Sequence, residues 1–252
     1  MMRLTDTVKH LIIINVIFFI AGMIKPELHE ILFSKLALFF PQNPNFGIWQ
    51  FVSHMFLHGS LMHLFFNMFA LAMFGSALEV LWGRNKFLIF YFATGIGAGL
   101  VYTLVNYWQF NSIFSEIQGL GYSASDIYGY LKDGQYPTIL THQISQTRIE
   151  SLFQVFNTRA VGASGALYGV LVAFAFKYPN AELALIFLPI PFKAKYFVPV
   201  LVALDLFMGL GGGQSIFGGY GTGIAHFAHV GGALVGYLLM LYFRRDQFQR
   251  WD

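Results

Sequence analysis

Six stretches of this chain are apolar at close to the length that a bilayer demands, roughly 8–24, 61–81, 87–108, 161–177, 196–210 and 224–243. A spanning helix needs about 20 mostly apolar residues, and the first and fifth stretches are short. Leu183–Phe192 is apolar as well, but Pro189 and Pro191 interrupt it and Lys193 and Lys195 follow. Proline breaks helices and the run is too short to cross, so it reads as a re-entrant or interfacial loop. Composition agrees with a membrane protein: 56% of the 252 residues are hydrophobic and only 11% charged, where a soluble domain carries about 25% charged residues. The 29 Phe and 13 Tyr suit a lipid-facing surface and interfacial belts. A net charge of +3 raises nucleic acid as a partner. The basic residues, however, sit at the ends of the apolar segments, where membrane topology explains them, and no nucleic-acid partner is expected. With no cysteine, a disulfide framework, a cysteine nucleophile and a thiolate metal site are excluded.

The expected architecture is an all-α membrane protein, a six-transmembrane-helix bundle forming a single domain over 1–252. Met1–Lys9 followed by Leu11–Ile24 superficially resembles a signal peptide but lacks a small-x-small cleavage site before Lys25-Pro26, so it reads as a retained first helix. A cytoplasmic N-terminus leaves ten Lys and Arg inside (Arg3, Lys9, Arg84, Lys86, Lys177, Lys193, Lys195, Arg244, Arg245, Arg250) and five outside (Lys25, Lys35, Lys132, Arg148, Arg159). That is the orientation the positive-inside rule favours, and an even number of spans returns the C-terminus to the cytoplasm. Residues 25–60 then form a first outer loop and 109–160 a longer one, within which Thr147–Asn157 has the pattern of a short amphipathic helix. The glycine-rich stretch Gly209–Gly223 has the composition of a movable cap.

Against this apolar background a few polar side chains stand out, and ionisable groups inside a membrane are by default hypotheses for a functional site. Ser164 lies in Gly162-Ala163-Ser164-Gly165, where a polar loop gives way to an apolar helix. The unpaired amides and positive dipole end of such a helix start stabilise an oxyanion formed when a serine attacks a carbonyl. The same residue also reads as an N-cap in a small-residue packing motif. His229 shares a helix face with Gly232 and Gly236, a groove that brings another helix close. It therefore points at a neighbouring helix, as a general base for Ser164 or as a packing histidine. His226, one turn earlier, competes for that role. His63 and Asn67, at i and i+4, are donors for an oxyanion hole together with the Ser164 N–H, or an interhelical polar cluster. Three histidines at 54, 58 and 63 raise a metal site. No His-Glu-x-x-His and no neighbouring carboxylate accompany them, and no metal or other cofactor is expected. Tyr168, one turn after Ser164, stacks on His229 or is core aromatic. Of the two acids inside the spans, Glu79 lies far from Ser164. Asp205 reads as a pore-facing or helix-pairing group rather than the third member of a triad.

Taken together, His54-x3-His58-x4-His63-x3-Asn67, Gly162-Ala163-Ser164-Gly165-Ala166-Leu167-Tyr168-Gly169 and Ala228-His229-x2-Gly232-x3-Gly236 resemble the rhomboid family of intramembrane serine proteases. The resemblance runs from about Trp49 to the C-terminus, with the motifs on helices two, four and six. It implies Ser164 as nucleophile and His229 as general base in a dyad without an acid. By the same resemblance His63, Asn67 and the Ser164 N–H form the oxyanion hole, with Gly162 beside it, Tyr168 stacked on His229, and His54 in a water-admitting polar region. It further implies that 196–223 gates substrate access. Substrates would be transmembrane protein segments with a small residue before the cut and helix-destabilising residues beyond it, met within membrane lipid. Two features depart from the family pattern: Gln50 follows Trp49 where the family often has arginine, and the 109–160 loop is long. Two other functions compete, a catalytically inactive relative that binds transmembrane clients and a small transporter with a midplane site, although no internal repeat supports the latter. The short loops point to a bacterial inner membrane.

Overall fold

The computed structural model describes residues 4–185, 188–211 and 224–248, with side chains described over 4–183, 191–211 and 226–243. Its first helix, α1 (Asp6–Ile24), leads at Lys25 into α2 (Pro26–Leu36), where Pro26 supplies the fixed φ of a first helical turn. An irregular segment follows and ends in α3 (Gln50–Ser53) and a single 3-10 turn, His54–Phe56. A helical rod then runs from Leu61 to Trp82 as α4 (Leu61–Ala70), a π turn (Leu71–Gly75) and α5 (Ser76–Trp82). Gly83, at φ +76°, turns the chain into α6 (Arg84–Gly119).

Four of the described helical segments are long and apolar enough to cross a membrane: Asp6–Ile24, Leu61–Trp82, Arg84–Gly119 and His226–Phe243. Two shorter helices complete the bundle, α10 (Ser164–Lys177) and α11 (Ala194–Leu210), and α12 (Ile224–Phe248) closes it. The 36 residues of α6 make a rod about 54 Å long at 1.5 Å per residue. It continues through Gly119 instead of ending near Trp108, because Phe110, Ile113 and Ile117 keep one buried face beyond the apolar stretch.

Much of the expected 109–160 loop is therefore helical. Beyond α6 come α7 (Ala124–Asp133), α8 (Leu140–Gln143) and α9 (Gln146–Asn157). Ser123 opens α7 with a capping box to Asp126. The three helices bury Ile127, Leu131, Leu140, Ile149, Leu152 and Val155 against the far end of α6 and against Leu38 and Phe40. They form a cap with its own apolar core. The stretch expected as a re-entrant or interfacial loop is instead an antiparallel hairpin, β1 (Glu182–Leu185) with β2 (Leu188–Lys193), pairing Glu182 with Lys193 and Leu183 with Phe192. Pro189 and Pro191 are accommodated because each strand of a two-stranded ribbon has an unpaired edge. Of the glycine-rich stretch Gly209–Gly223, residues 212–223 lie outside the described residues.

The centre is α10, flanked by α6 and α12. Its buried residues Gly165, Ala166, Leu167, Gly169, Val170, Leu171, Val172, Ala173 and Phe174 cover its whole circumference, as befits a helix surrounded by others. α10 and α12 meet backbone to backbone. A Cβ on Gly236 would lie 2.6 Å from Gly169 Cα, and one on Gly232 would run into the Gly165 carbonyl oxygen. That approach fixes the register of α12 on α10, and with it the position of any side chain one turn away.

Candidate active site

Ser164 is the first helical residue of α10, after Ala163, so it presents both its hydroxyl and the first-turn amides that lack an intrahelical acceptor. One turn before Gly232, His229 is carried by the glycine contact to a point where its Nε2 lies 2.8 Å from Ser164 Oγ. Tyr168, one turn along α10, lies flat on the His229 ring, with centroids 4.4 Å apart and planes within 7°. Both rings are half-buried.

Ser164 and His229 share a cavity of about 310 Å³ with His54, His63, Gly162 and Gly165, lined also by Thr158–Val161 and Tyr102. Gly162 has φ +115°, and a Cβ there would sit 2.6 Å from His63 Nε2. The position thus needs glycine twice over, for its backbone and for the imidazole lying against it. Its N–H bonds the His54 carbonyl at 2.9 Å, and Ala160 and Leu38 pair as a β-bridge just upstream. These contacts tie the run into Ser164 to the segment between α2 and α4. Ser60 caps α4 by accepting from the His63 N–H at 3.1 Å, and His58 braces the His63 ring edge-on at 4.9 Å. Asn67 is buried one turn behind and does not line the cavity. Its Nδ2 donates to the His63 carbonyl at 2.7 Å, while Oδ1 has no partner among the described residues.

His54 is buried, and its Nδ1–H donates to the Gln50 carbonyl at 2.7 Å, leaving Nε2 as its remaining acceptor. Burial lowers its pKa to about 4. Gln50 occupies the place after Trp49 as a fully buried amide. Its Oε1 accepts from the Phe39 N–H at 3.1 Å and its Nε2 donates to the Asn45 carbonyl at 2.7 Å. Trp49 Nε1 holds the Lys35 carbonyl at 2.8 Å. The segment between α2 and α4 is therefore anchored through neutral hydrogen bonds. Glu79, far from this cavity as expected, accepts from Thr5 Oγ1 and from the Thr7 and Val8 amides, capping the start of α1.

Asp205 pairs helices, one of its two sequence readings, and its partners include the candidate base. It is buried on α11, yet its Oδ1 lies 3.2 Å from His229 Nδ1 and 2.5 Å from His226 Nδ1, and its Oδ2 accepts from the Tyr168 hydroxyl. The signal was present in the sequence as a lone acid within an apolar helix. Which helix it would meet depended on packing that no spacing encodes. Asp205, His226 and His229 are also a grouping with metal-ligand spacing, their donor atoms within 4.8 Å of one another. The hydrogen bonds among them account for that spacing without an ion. A larger groove of about 760 Å³ lies between α10, α11 and α12, and its walls are mostly apolar, among them Val172, Phe176, Val198, Val202 and Leu206, with Lys195 the one charged residue. It offers shape and little chemistry.

Long apolar helices around a cavity lined by His54, His63, Ser164 and His229 define an integral membrane protein with polar side chains gathered inside its bundle. The rhomboid domain family model matches residues 45–131 and 137–246. Rhomboid protease AarA of Providencia stuartii is 27% identical over 200 residues, covering 77% of this chain and 55% of that protein. Presenilin-associated rhomboid-like protein A, mitochondrial, of Danio rerio is 31% identical over 183 residues, 72% of this chain and 34% of that protein. Rhomboid-like protease 3 of Toxoplasma gondii is 28% identical over 153 residues, 58% of this chain and 57% of that protein. The chain belongs to the rhomboid family. It spans between a third and somewhat over half the length of these relatives.

Proposed function

We propose that this chain is an intramembrane serine endopeptidase that cleaves transmembrane segments of protein substrates, with Ser164 as nucleophile and His229 as general base. The 2.8 Å contact between Ser164 Oγ and His229 Nε2, at the wall of a histidine-lined cavity in an apolar bundle, carries the reading. Relatives named as proteases support it, as does the helix start beneath Ser164. In this reading six helices span a bacterial inner membrane with both termini in the cytoplasm, and the site lies near the outer leaflet.

The chemistry follows from the groups present. A substrate strand, locally unwound, offers its carbonyl carbon to Ser164 Oγ as the hydroxyl proton passes to His229 Nε2. Charge developing on the carbonyl oxygen is met by the first-turn amides of α10 and by His63. Asn67 joins them after a half-turn about its terminal torsion, which would swing Nδ2 away from the His63 carbonyl. Collapse of the tetrahedral species breaks the C–N bond, and the leaving amine takes the proton from His229. Water, activated by the same imidazole, then hydrolyses the acyl-serine. His54, uncharged with a free acceptor nitrogen, suits the water-bearing side of the cavity. Tyr168 keeps the base in plane.

The test is cleavage of a reporter whose transmembrane segment has a small residue near its outer end. Wild type should cut; Ser164→Ala and His229→Ala should not. His63→Ala should lose about 10²–10³-fold in rate. Equal cleavage by all variants would overturn the site. Failure of wild type to cut the reporter, or to react with a fluorophosphonate at Ser164, would favour an inactive relative that binds transmembrane clients.

A further inference from the structure

A serine–histidine dyad leaves open what holds the imidazole in the useful tautomer. A neutral histidine has one N–H, and only the tautomer with that proton on Nδ1 turns a lone pair at Nε2 toward Ser164. The partner of Nδ1 therefore matters as much as the partner of Nε2. Here Nδ1 faces a carboxylate.

We propose that Asp205 is a positioning residue for the base, holding His229 in its Nδ1–H tautomer and balancing the charge that the imidazole gains during attack. The proposal rests on the assignment of Ser164 and His229 above. Three observations carry it. Asp205 Oδ1 accepts from His229 Nδ1 at 3.2 Å, on the opposite side of the ring from the Ser164 contact. The carboxylate is itself held in place, because Oδ2 accepts from Tyr168, the ring that stacks on His229. Its side chain is only 4% exposed, so its charge is poorly screened by water and acts strongly on a neighbour 3.2 Å away.

His226 enters the same arrangement as a second donor to Oδ1 at 2.5 Å. It gives the buried carboxylate a third hydrogen bond, and the edge-on approach of its ring to His229, at 6.3 Å between centroids, keeps the two imidazoles apart. Asp205, His226, His229 and Tyr168 thus form one network spanning α10, α11 and α12. In bound atoms it is a serine–histidine–aspartate triad whose acid comes from a different helix than its base. The acid stays ionised throughout the cycle and passes no proton of its own; it stabilises the imidazolium electrostatically.

The decisive measurement is the tautomer of His229 in the full chain in detergent, read from two-bond nitrogen–proton correlations of ¹⁵N-histidine-labelled protein. The resonances are assigned by their loss in His229→Gln. Wild type should show the proton on Nδ1, and Asp205→Asn should populate the Nε2–H form. A wild-type His229 protonated on Nε2 would overturn the proposal outright. Because this readout needs no substrate, it stands apart from the question of activity.

Kinetics supply the second arm. Asp205→Asn should lower kcat for the reporter by up to about 10⁴-fold, the drop that the equivalent change causes in a soluble triad, with KM little altered. Asp205→Glu should recover part of the rate. A folded Asp205→Asn protein with wild-type rate would sink the inference while leaving Ser164 and His229 in place. Loss of fluorophosphonate labelling in wild type would sink the protease reading instead.

Discussion

Burial lowers the pKa of His54 to about 4, and its Nδ1–H bond to Gln50 offsets only part of the lost hydration. An unfolded histidine titrates near 6.5, so between these values the unfolded chain binds a proton that the folded one refuses. The stability contributed by a neutral His54 is complete above about pH 6.5, falls as pH drops, and is lost by about pH 4. At that limit it amounts to roughly 3 kcal/mol. His58, lowered to about 3 chiefly by burial, adds to the same slope. The melting temperature of the purified protein should decrease between pH 7 and pH 4.5. His54→Gln should make that decrease shallower, and an unchanged slope would place the titration on other groups. Gln50 shows the same economy in another form. A buried amide with both ends bonded anchors the segment between α2 and α4 without placing a charge in the bundle.

Between elements, the contact that matters most is the one without side chains. α10 and α12 touch through Gly165 and Gly169 on one helix and Gly232 and Gly236 on the other. A Cβ on Gly232 or Gly236 meets α10 backbone, which cannot rotate away, whereas one on Gly165 or Gly169 meets Ala98 or Thr94 of α6. Gly236→Ala should push the lower part of α12 off α10 and draw His229 away from Ser164. Displacements near 1 Å at a reacting pair cost about 10²-fold, so activity and fluorophosphonate labelling should fall by that order while the protein still extracts as a folded species. Wild-type labelling in that variant would mean that the helices have slack.

The small-residue spacing of α12 and its histidine were legible in the sequence because both lie on one helix, where period alone decides which side chains share a face. The helical pattern of Thr147–Asn157 was legible for the same reason, and α9 covers it. Asp205 was not placed, since its partners sit on α10 and α12 and relative helix rotation leaves no mark on spacing. The overshoot of α6 was missed because hydropathy falls after Trp108 although Phe110, Ile113 and Ile117 keep the helical period. The proline-containing hairpin was missed because proline argues against a central strand and is silent about an edge.

At the scale of the molecule, the bundle and the cap are joined through the chain that leads into Ser164. α9 ends at Asn157, Ala160 pairs with Leu38, and Gly162 bonds His54, all within a few residues of Ser164. Asn43 adds a bond from Nδ2 to the Phe156 carbonyl at 2.8 Å. Loosening the cap core should therefore be felt below it. Ile149→Ala, at a fully buried site, should cost about 2–5 kcal/mol locally. It should expose α7–α9 to limited proteolysis and slow Ser164 labelling. Faster cap cleavage with undiminished labelling would show that the two parts are mechanically independent.

The cavity beside Ser164 also has a consequence for supply. At about 30 Å³ per molecule of liquid water, its 310 Å³ has room for on the order of ten waters. Under the proposed activity hydrolysis would consume one per turnover, and surrounding hydrocarbon would replace none of them. A scissile bond delivered from the oily side would then meet the second reactant at its destination. The first deacylations would draw on water already in place, and sustained turnover would be set by how fast the cavity refills.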